Sequence, residues 1–294
     1  MNAISPILRI GIVLLVTFST LGCGILGGDT PTAPSVPPAG GTITYTAIGA
    51  SDANGVGSSV PCVPFSDCPN GMGYVQMATR QLTSRGFTVT LSNLGIATAV
   101  IGPDFQALGL QNGRVIAGNF IDHEAPFVRA SNTVTMFAGV NEINTITAAL
   151  GAGAGGSDPL GYVDGQVRAF GADYTRLIST VGSRAGQPRF IILNVPNVGA
   201  MPFLANTSLA QRQVAQRAAV AMSRSVVNPL VSSSVTVIDL MCDPRSYQRE
   251  FFSSDGLHPN DSGYTNIANE VVRAITSSSY PAPQASCASM TMVP

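Results

Sequence analysis

His123 and His258 are the only imidazoles among 294 residues, so histidine-driven acid–base chemistry has few possible seats. His258 lies in the run Asp255-Gly256-Leu257-His258-Pro259-Asn260. A carboxylate three residues before a histidine, on a loop stiffened by Gly256 and Pro259, can reach back to one ring nitrogen. The other nitrogen is then free to take a proton from a nucleophile. The same run also reads as a turn with a solvated Asp and His, so a matching nucleophile is required. Ser51, in Ile48-Gly49-Ala50-Ser51-Asp52-Ala53-Asn54-Gly55, is the candidate. A serine hydroxyl is a poor nucleophile until a neighbouring base activates it. His258 would supply the base, and Asp255 would fix its tautomer. Taken alone, a serine in this place also reads as a helix cap. An oxyanion formed at Ser51 would need donors aimed at it. The N–H groups of Ser51 and Gly95 and the side-chain amide of Asn141 are the candidates. Asn141 equally reads as the N-cap of a following helix. His123, in Ile121-Asp122-His123-Glu124, reads as a surface or rim residue.

These residues need a frame, and the hydrophobic periodicity supplies one. Strands are expected over residues 43–48, 87–91, 133–138, 189–195 and 235–240. Helices are expected over 71–85, from about 142, and over 162–181, 209–230 and 263–275. Residues 102–131 read as irregular, and 151–156 as a glycine-rich break. Alternating β and α with wholly apolar strands (FIILNV, VTVIDL) predicts an α/β domain whose parallel sheet is buried on both faces. In such three-layer, doubly wound folds, ligands bind beyond the carboxyl ends of the strands. Ser51, Gly95, Asn141 and the Asp255–His258 loop each follow a predicted strand, so all converge on one sheet edge. Residues 102–131 and the 151–158 loop are expected to wall or cover the cleft there.

With those blocks in place, the chain resembles the SGNH/GDSL hydrolase family of serine esterases and lipases. Ser51 in IGASDANG matches the first of the family's blocks, Gly95 in SNLGIA the second, and Asn141 in AGVNEI the third. Asp255 and His258 in DGLHPNDSGY match the last. NVPNVGAMP resembles the proline-rich segment that follows the fourth strand. The resemblance covers roughly residues 43–276. It implies a flavodoxin-like, five-stranded α/β/α fold and a Ser51–His258–Asp255 triad hydrolysing carboxylic esters through an acyl-enzyme. It also implies an oxyanion hole from Ser51, Gly95 and Asn141, with no cofactor and no metal. Two departures stand out. Ala50 precedes the serine where the family has an acid, with Asp52 following it instead, and Glu142 replaces the usual Asp after Asn141. The GxSxG elbow of α/β-hydrolases is brushed by Gly49-Ala50-Ser51-Asp52-Ala53. That fold, however, puts the nucleophile after a later strand and its acid far from the histidine. Two other activities remain open: an acyltransferase with the same residues, and a surface-tethered binding protein on a degenerate hydrolase fold.

Composition narrows the partners. The net charge is −1, 11% of residues are charged, and all 15 basic residues are arginines. With no basic cluster, nucleic-acid binding is not expected, and catalytic-lysine chemistry is excluded. An uncharged small or polymeric ester suits such a surface better than a polyanion. Arg9 followed by an apolar run too short to span a bilayer reads as a signal peptide over residues 1–22. Leu21-Gly22-Cys23 resembles a bacterial lipobox, which would lipidate Cys23 and tie the protein to the cell envelope; ordinary cleavage and free secretion is the alternative. Residues 23–41 (CGILGGDTPTAPSVPPAGG) read as a tether, and 42–294 as the hydrolase domain. The remaining cysteines, Cys62, Cys68, Cys242 and Cys287, are an even set suited to two disulfides in an exported chain. Of three connectivities, Cys62–Cys68 with Cys242–Cys287 is the simplest, and it would pin the C-terminal tail. Oligomeric state leaves no trace in the sequence.

Overall fold

A computed structural model of the chain describes residues 36–294. The expected signal segment, Cys23 and most of the tether lie outside the described residues. Five apolar runs form β1 (Thr42–Gly49), β2 (Thr88–Asn93), β3 (Thr133–Phe137), β4 (Arg189–Leu193) and β5 (Val235–Ile238). All pair in parallel, in the order β2-β1-β3-β4-β5. The winding direction reverses between β1 and β3, which makes the ends of those two strands the switch point where a ligand crevice opens.

The helices are α1 (Ser51–Asn54), α2 (Tyr74–Ser84), α3 (Pro103–Gln111), α4 (Phe120–His123), α5 (Val140–Gly151), α6 (Pro159–Ala185), α7 (Leu209–Ala221) and α8 (Asp261–Thr276). Successive strand residues point to opposite faces, and the core divides accordingly. Ile43, Tyr45, Ala47, Ile191 and Leu193 meet α2 and α8 on one side. Ile48, Val134, Met136, Phe190 and Ile192 meet α5, α6 and α7 on the other. Full burial of each such large apolar side chain stabilises by roughly 1.5–3 kcal/mol. Arg189, at the start of β4 and mostly buried, donates to the carbonyls of Ile275 and Ser277 at 3.2 Å each. A cation thus satisfies the acceptors left over at the end of α8.

Three expectations are corrected. Residues 102–131 are not irregular: Pro103 at the first helical position starts α3, and Asn119 caps the short α4. Only Phe105 and Gly109 of α3 are buried, so the helix carries almost no apolar periodicity to read. The expected helix over 209–230 stops at Ala221 and continues as a widened π turn, Met222–Val227. There the buried Ser223 hydroxyl donates to the Val195 carbonyl (2.7 Å) and accepts from the Val195 N–H (3.1 Å), holding the end of β4 in place of a regular turn. The 151–158 loop does not wall the cleft described below, whereas Phe120 of the 102–131 segment does. Two disulfides are present, Cys62–Cys68 and Cys242–Cys287.

Candidate active site

β1 ends at Gly49, and Ser51 opens α1 directly beyond it. The loop between β5 and α8 brings His258 across to it, so that Nε2 lies 2.8 Å from Ser51 Oγ although the residues are 207 apart in sequence. On the other side of the ring, Nδ1 lies 2.6 Å from Asp255 Oδ2. Ser51 is 8% exposed, and the side chains of His258 and Asp255 are 16% and 44% exposed. The seryl oxygen is therefore shielded while the acid stays near solvent.

The loop itself is well tied. The Ser253 N–H donates to the His258 carbonyl at 2.8 Å. The Asn260 amide donates to the carbonyls of Glu250 (2.7 Å) and Phe252 (3.1 Å), and its Oδ1 caps α8 by accepting from Gly263 N–H at 3.0 Å. Asp255 Oδ1 accepts from the Ser253 hydroxyl and the N–H groups of Leu257 and His258, at 2.8, 2.8 and 3.0 Å. Partial burial pushes the Asp255 carboxyl up. The bonds from the His258 ring, the two N–H groups and Ser253 outweigh it and hold the carboxyl well below the usual carboxylate range. An ionised Asp255 can only accept, so Nδ1 carries the proton and Nε2 faces the serine with a lone pair.

Two buried carboxylates hold the backbone just before Ser51 and Asn141. Glu142 is 1% exposed; its carboxylate accepts from Gly139 N–H at 2.8 Å and from Ile101 N–H. Burial raises its pKa to about 7, against the pull of backbone N–H groups at Glu142, Ile101 and Gly139. Glu124, fully buried, accepts from Gly49 N–H at 3.0 Å, and burial pushes its carboxyl well above the usual range. Asp52 is raised by burial too, an effect opposed by His258. Glu124 and Glu142 pin the turns that carry Ser51 and Asn141. Glu124 and the Glu142–Ile101 bond escape sequence reading because the partners are backbone groups from distant segments, which no motif records.

The other candidates divide. Asn141, on the first turn of α5, lines the same cleft as Ser51 and His258, and its Nδ2 donates to the Ala99 carbonyl at 2.9 Å. Gly95 is not on the cleft wall. Its N–H points to Asn93 Oδ1 at 3.2 Å and its carbonyl accepts from Asn54 Nδ2 at 3.0 Å. A Cβ at Gly95 would meet the Ala53 Cβ at 2.6 Å, so the glycine permits close packing behind α1. His123 is exposed, and its Nδ1 accepts from Asn119 N–H at 3.2 Å. Among the described residues no cluster of His, Cys, Asp and Glu is arranged to hold a metal ion. The cleft encloses about 910 Å³ with its open mouth. A shielded hydroxyl, an oriented base and an apolar-walled space are what nucleophilic attack on an uncharged carbonyl requires.

A family model described as GDSL-like lipase/acylhydrolase matches residues 45–271 of the chain. No curated protein matches it in sequence. Among solved structures, the chain is similar to the lipase Lip_vut3 from a goat rumen metagenome: 18% identity, TM-score 0.54, covering 79% of this chain and 97% of that one. It is likewise similar to an extracellular lipase from Streptomyces rimosus: 16% identity, TM-score 0.52, covering 77% of this chain and 98% of that one. At these identities the likeness is one of fold.

Proposed function

Because the chain belongs to the GDSL-like lipase/acylhydrolase family, an enzyme family of ester hydrolases, we propose that it cleaves carboxylic esters through a seryl acyl-enzyme. The observation that carries this reading is the continuous relay Asp255–His258–Ser51, with 2.6 and 2.8 Å between successive partners. Ser51 Oγ attacks the ester carbonyl while its proton passes to His258 Nε2. Asp255 stabilises the imidazolium that forms. The proton then goes to the leaving alcohol, and water repeats the sequence to free the acid. The Ser51 N–H and the Asn141 amide serve the oxyanion. Gly95, off the cleft wall with its N–H on Asn93 Oδ1 at 3.2 Å, would join them only by giving up that bond and turning into the cleft.

The remainder of the proposal concerns placement. Residues 1–22 direct export, Cys23 carries the lipid, 23–41 form the tether and 42–294 the catalytic domain. Two disulfides fit an oxidising compartment. A fluorophosphonate probe should label Ser51, and Ser51→Ala should lose at least about 10³-fold in kcat on p-nitrophenyl acetate. A Ser51→Ala protein that retained its rate would sink the assignment.

A further inference from the structure

Asp52 is a charged group beside the nucleophile with no part in the proposed mechanism. It follows Ser51 directly in α1 and lines the same cleft as Ser51 and His258. Consecutive Cα atoms lie about 3.8 Å apart, so Asp52 stands within a short substituent's reach of a carbonyl bound at Ser51. The other carboxylates on that wall already have donors. Glu142 accepts from the N–H groups of Gly139 and Ile101. Asp243 is held by Arg245, and Glu270 by Arg245, Arg273 and the Tyr280 hydroxyl. Asp52 has no such tie. Among the described residues, no arginine pairs with it and no other residue donates a hydrogen bond to its side chain.

The charge balance of the cleft follows from these pairings. The guanidinium groups of Arg245 and Arg273 offset Asp243 and Glu270, which leaves the Asp52 charge without a counter-ion. Desolvation pushes the Asp52 carboxyl up; the His258 ring and the residue's own N–H oppose that shift, and Asp255 adds to it. A shielded carboxylate with no partner is stabilised most by a cation that arrives with the substrate. A hydroxyl would occupy one lone pair and leave the charge standing. The walls favour the same ligand. Phe120, Phe137, Phe251 and Phe252 line the cleft, and phenyl faces attract an ammonium ion through their quadrupole. An alkylated ammonium can pack its methyl groups on such rings while its charge faces Asp52.

We propose that Asp52 is a specificity-determining residue that receives an alkylammonium substituent of the substrate, so that esters carrying a positive charge a few atoms from the scissile carbonyl are preferred. The inference rests on the esterase reading and narrows it, from esters in general to those of amino alcohols or amino acids. The cation belongs to either the alcohol or the acyl side, and two pairs of substrates separate these.

The test compares kcat/KM for acetylcholine with that for its uncharged isostere, 3,3-dimethylbutyl acetate, and for glycine betaine ethyl ester with that for ethyl 3,3-dimethylbutanoate. Asp52→Asn keeps the side chain's shape and removes its charge. It should lower the charged-to-uncharged ratio at least about tenfold in the first pair if the cation is on the alcohol, or in the second if it is on the acyl group. Damage common to both members of a pair cancels in the ratio. Ratios unchanged in both pairs would overturn the proposal while leaving the esterase reading intact. A second measurement needs no variant. Tetramethylammonium chloride should slow fluorophosphonate labelling of wild-type Ser51 more than sodium chloride does at the same ionic strength, and equal slowing would also overturn the proposal. If wild type is inert on every ester and escapes the probe, tetramethylammonium binding followed by NMR decides. Binding that a folded Asp52→Asn protein abolishes keeps the cation site and sinks the esterase reading; no binding to wild type sinks both.

Discussion

At the scale of single residues, the site depends as much on Glu142 as on the groups that would touch substrate. Its carboxylate joins the turn after β3 to the segment at Ile101, beside the bond from Asn141 to Ala99. Glu142→Gln puts an amide N–H₂ against one of those backbone N–H groups, and a loss of about 1–3 kcal/mol in denaturant stability is expected near neutral pH. Because the folded-state pKa is raised from 4.5 to about 7, the native protein binds the proton more tightly than the unfolded chain. That contribution is fully present below about pH 4.5 and is lost as pH rises through about 7. Unfolding midpoints measured from pH 4.5 to pH 8 should show this decline in the wild type and lack it in Glu142→Gln. That Ser51, Asp255 and His258 lie together was legible because their types are rare enough, or spaced closely enough, to stand out. Glu142 was legible only as a departure from the family's block. Its clamp was not, because a hydrogen bond to a remote backbone N–H leaves no mark on the partner's identity.

At the scale of elements, the strands and the loops after them do the positioning. The segment after α1 returns under the catalytic loop, and Gly57 (φ +93°) is where the two meet. A Cβ there would come within 2.7 Å of both the His258 Cβ and the Pro259 carbonyl oxygen. Gly57→Ala should therefore displace His258 from Ser51 and cost at least about tenfold in kcat, since small misplacements of a catalytic group are expensive. Circular dichroism should meanwhile report an intact fold; an unchanged kcat would show that the loop tolerates the shift. Apolar runs such as FIILNV announced the strands, and the alternation of β and α announced a parallel, doubly wound sheet, whereas its strand order was not read from the sequence. Nor was the broken end of α7, because Ser223 acts there through contacts with Val195 that are distant in sequence.

At the scale of the whole molecule, the two disulfides do unequal work. In the chain-entropy picture a crosslink stabilises by restricting the unfolded chain, more so for longer loops. Cys242–Cys287 spans 45 residues and Cys62–Cys68 only 6. Replacing the first pair by serine should cost about 4 kcal/mol, and replacing the second about 2 kcal/mol. Urea titrations of the two double variants check the order, and equal losses would contradict it. The longer crosslink also anchors a tail whose Ser289 and Val293 carbonyls accept from Asn197 and Gln216, at 2.7 and 2.9 Å. Asn197 neighbours Pro196 on the cleft wall, so loosening the tail should reach the site.

The 207-residue separation between Ser51 and His258 has a consequence in time as well as in space. The serine emerges from the ribosome early and the base late. On the proposed mechanism, Ser51 has no base to activate it until His258 has been made. An ester-cutting enzyme thus acquires its reactivity only after nearly all of the chain that folds around its site has been synthesised.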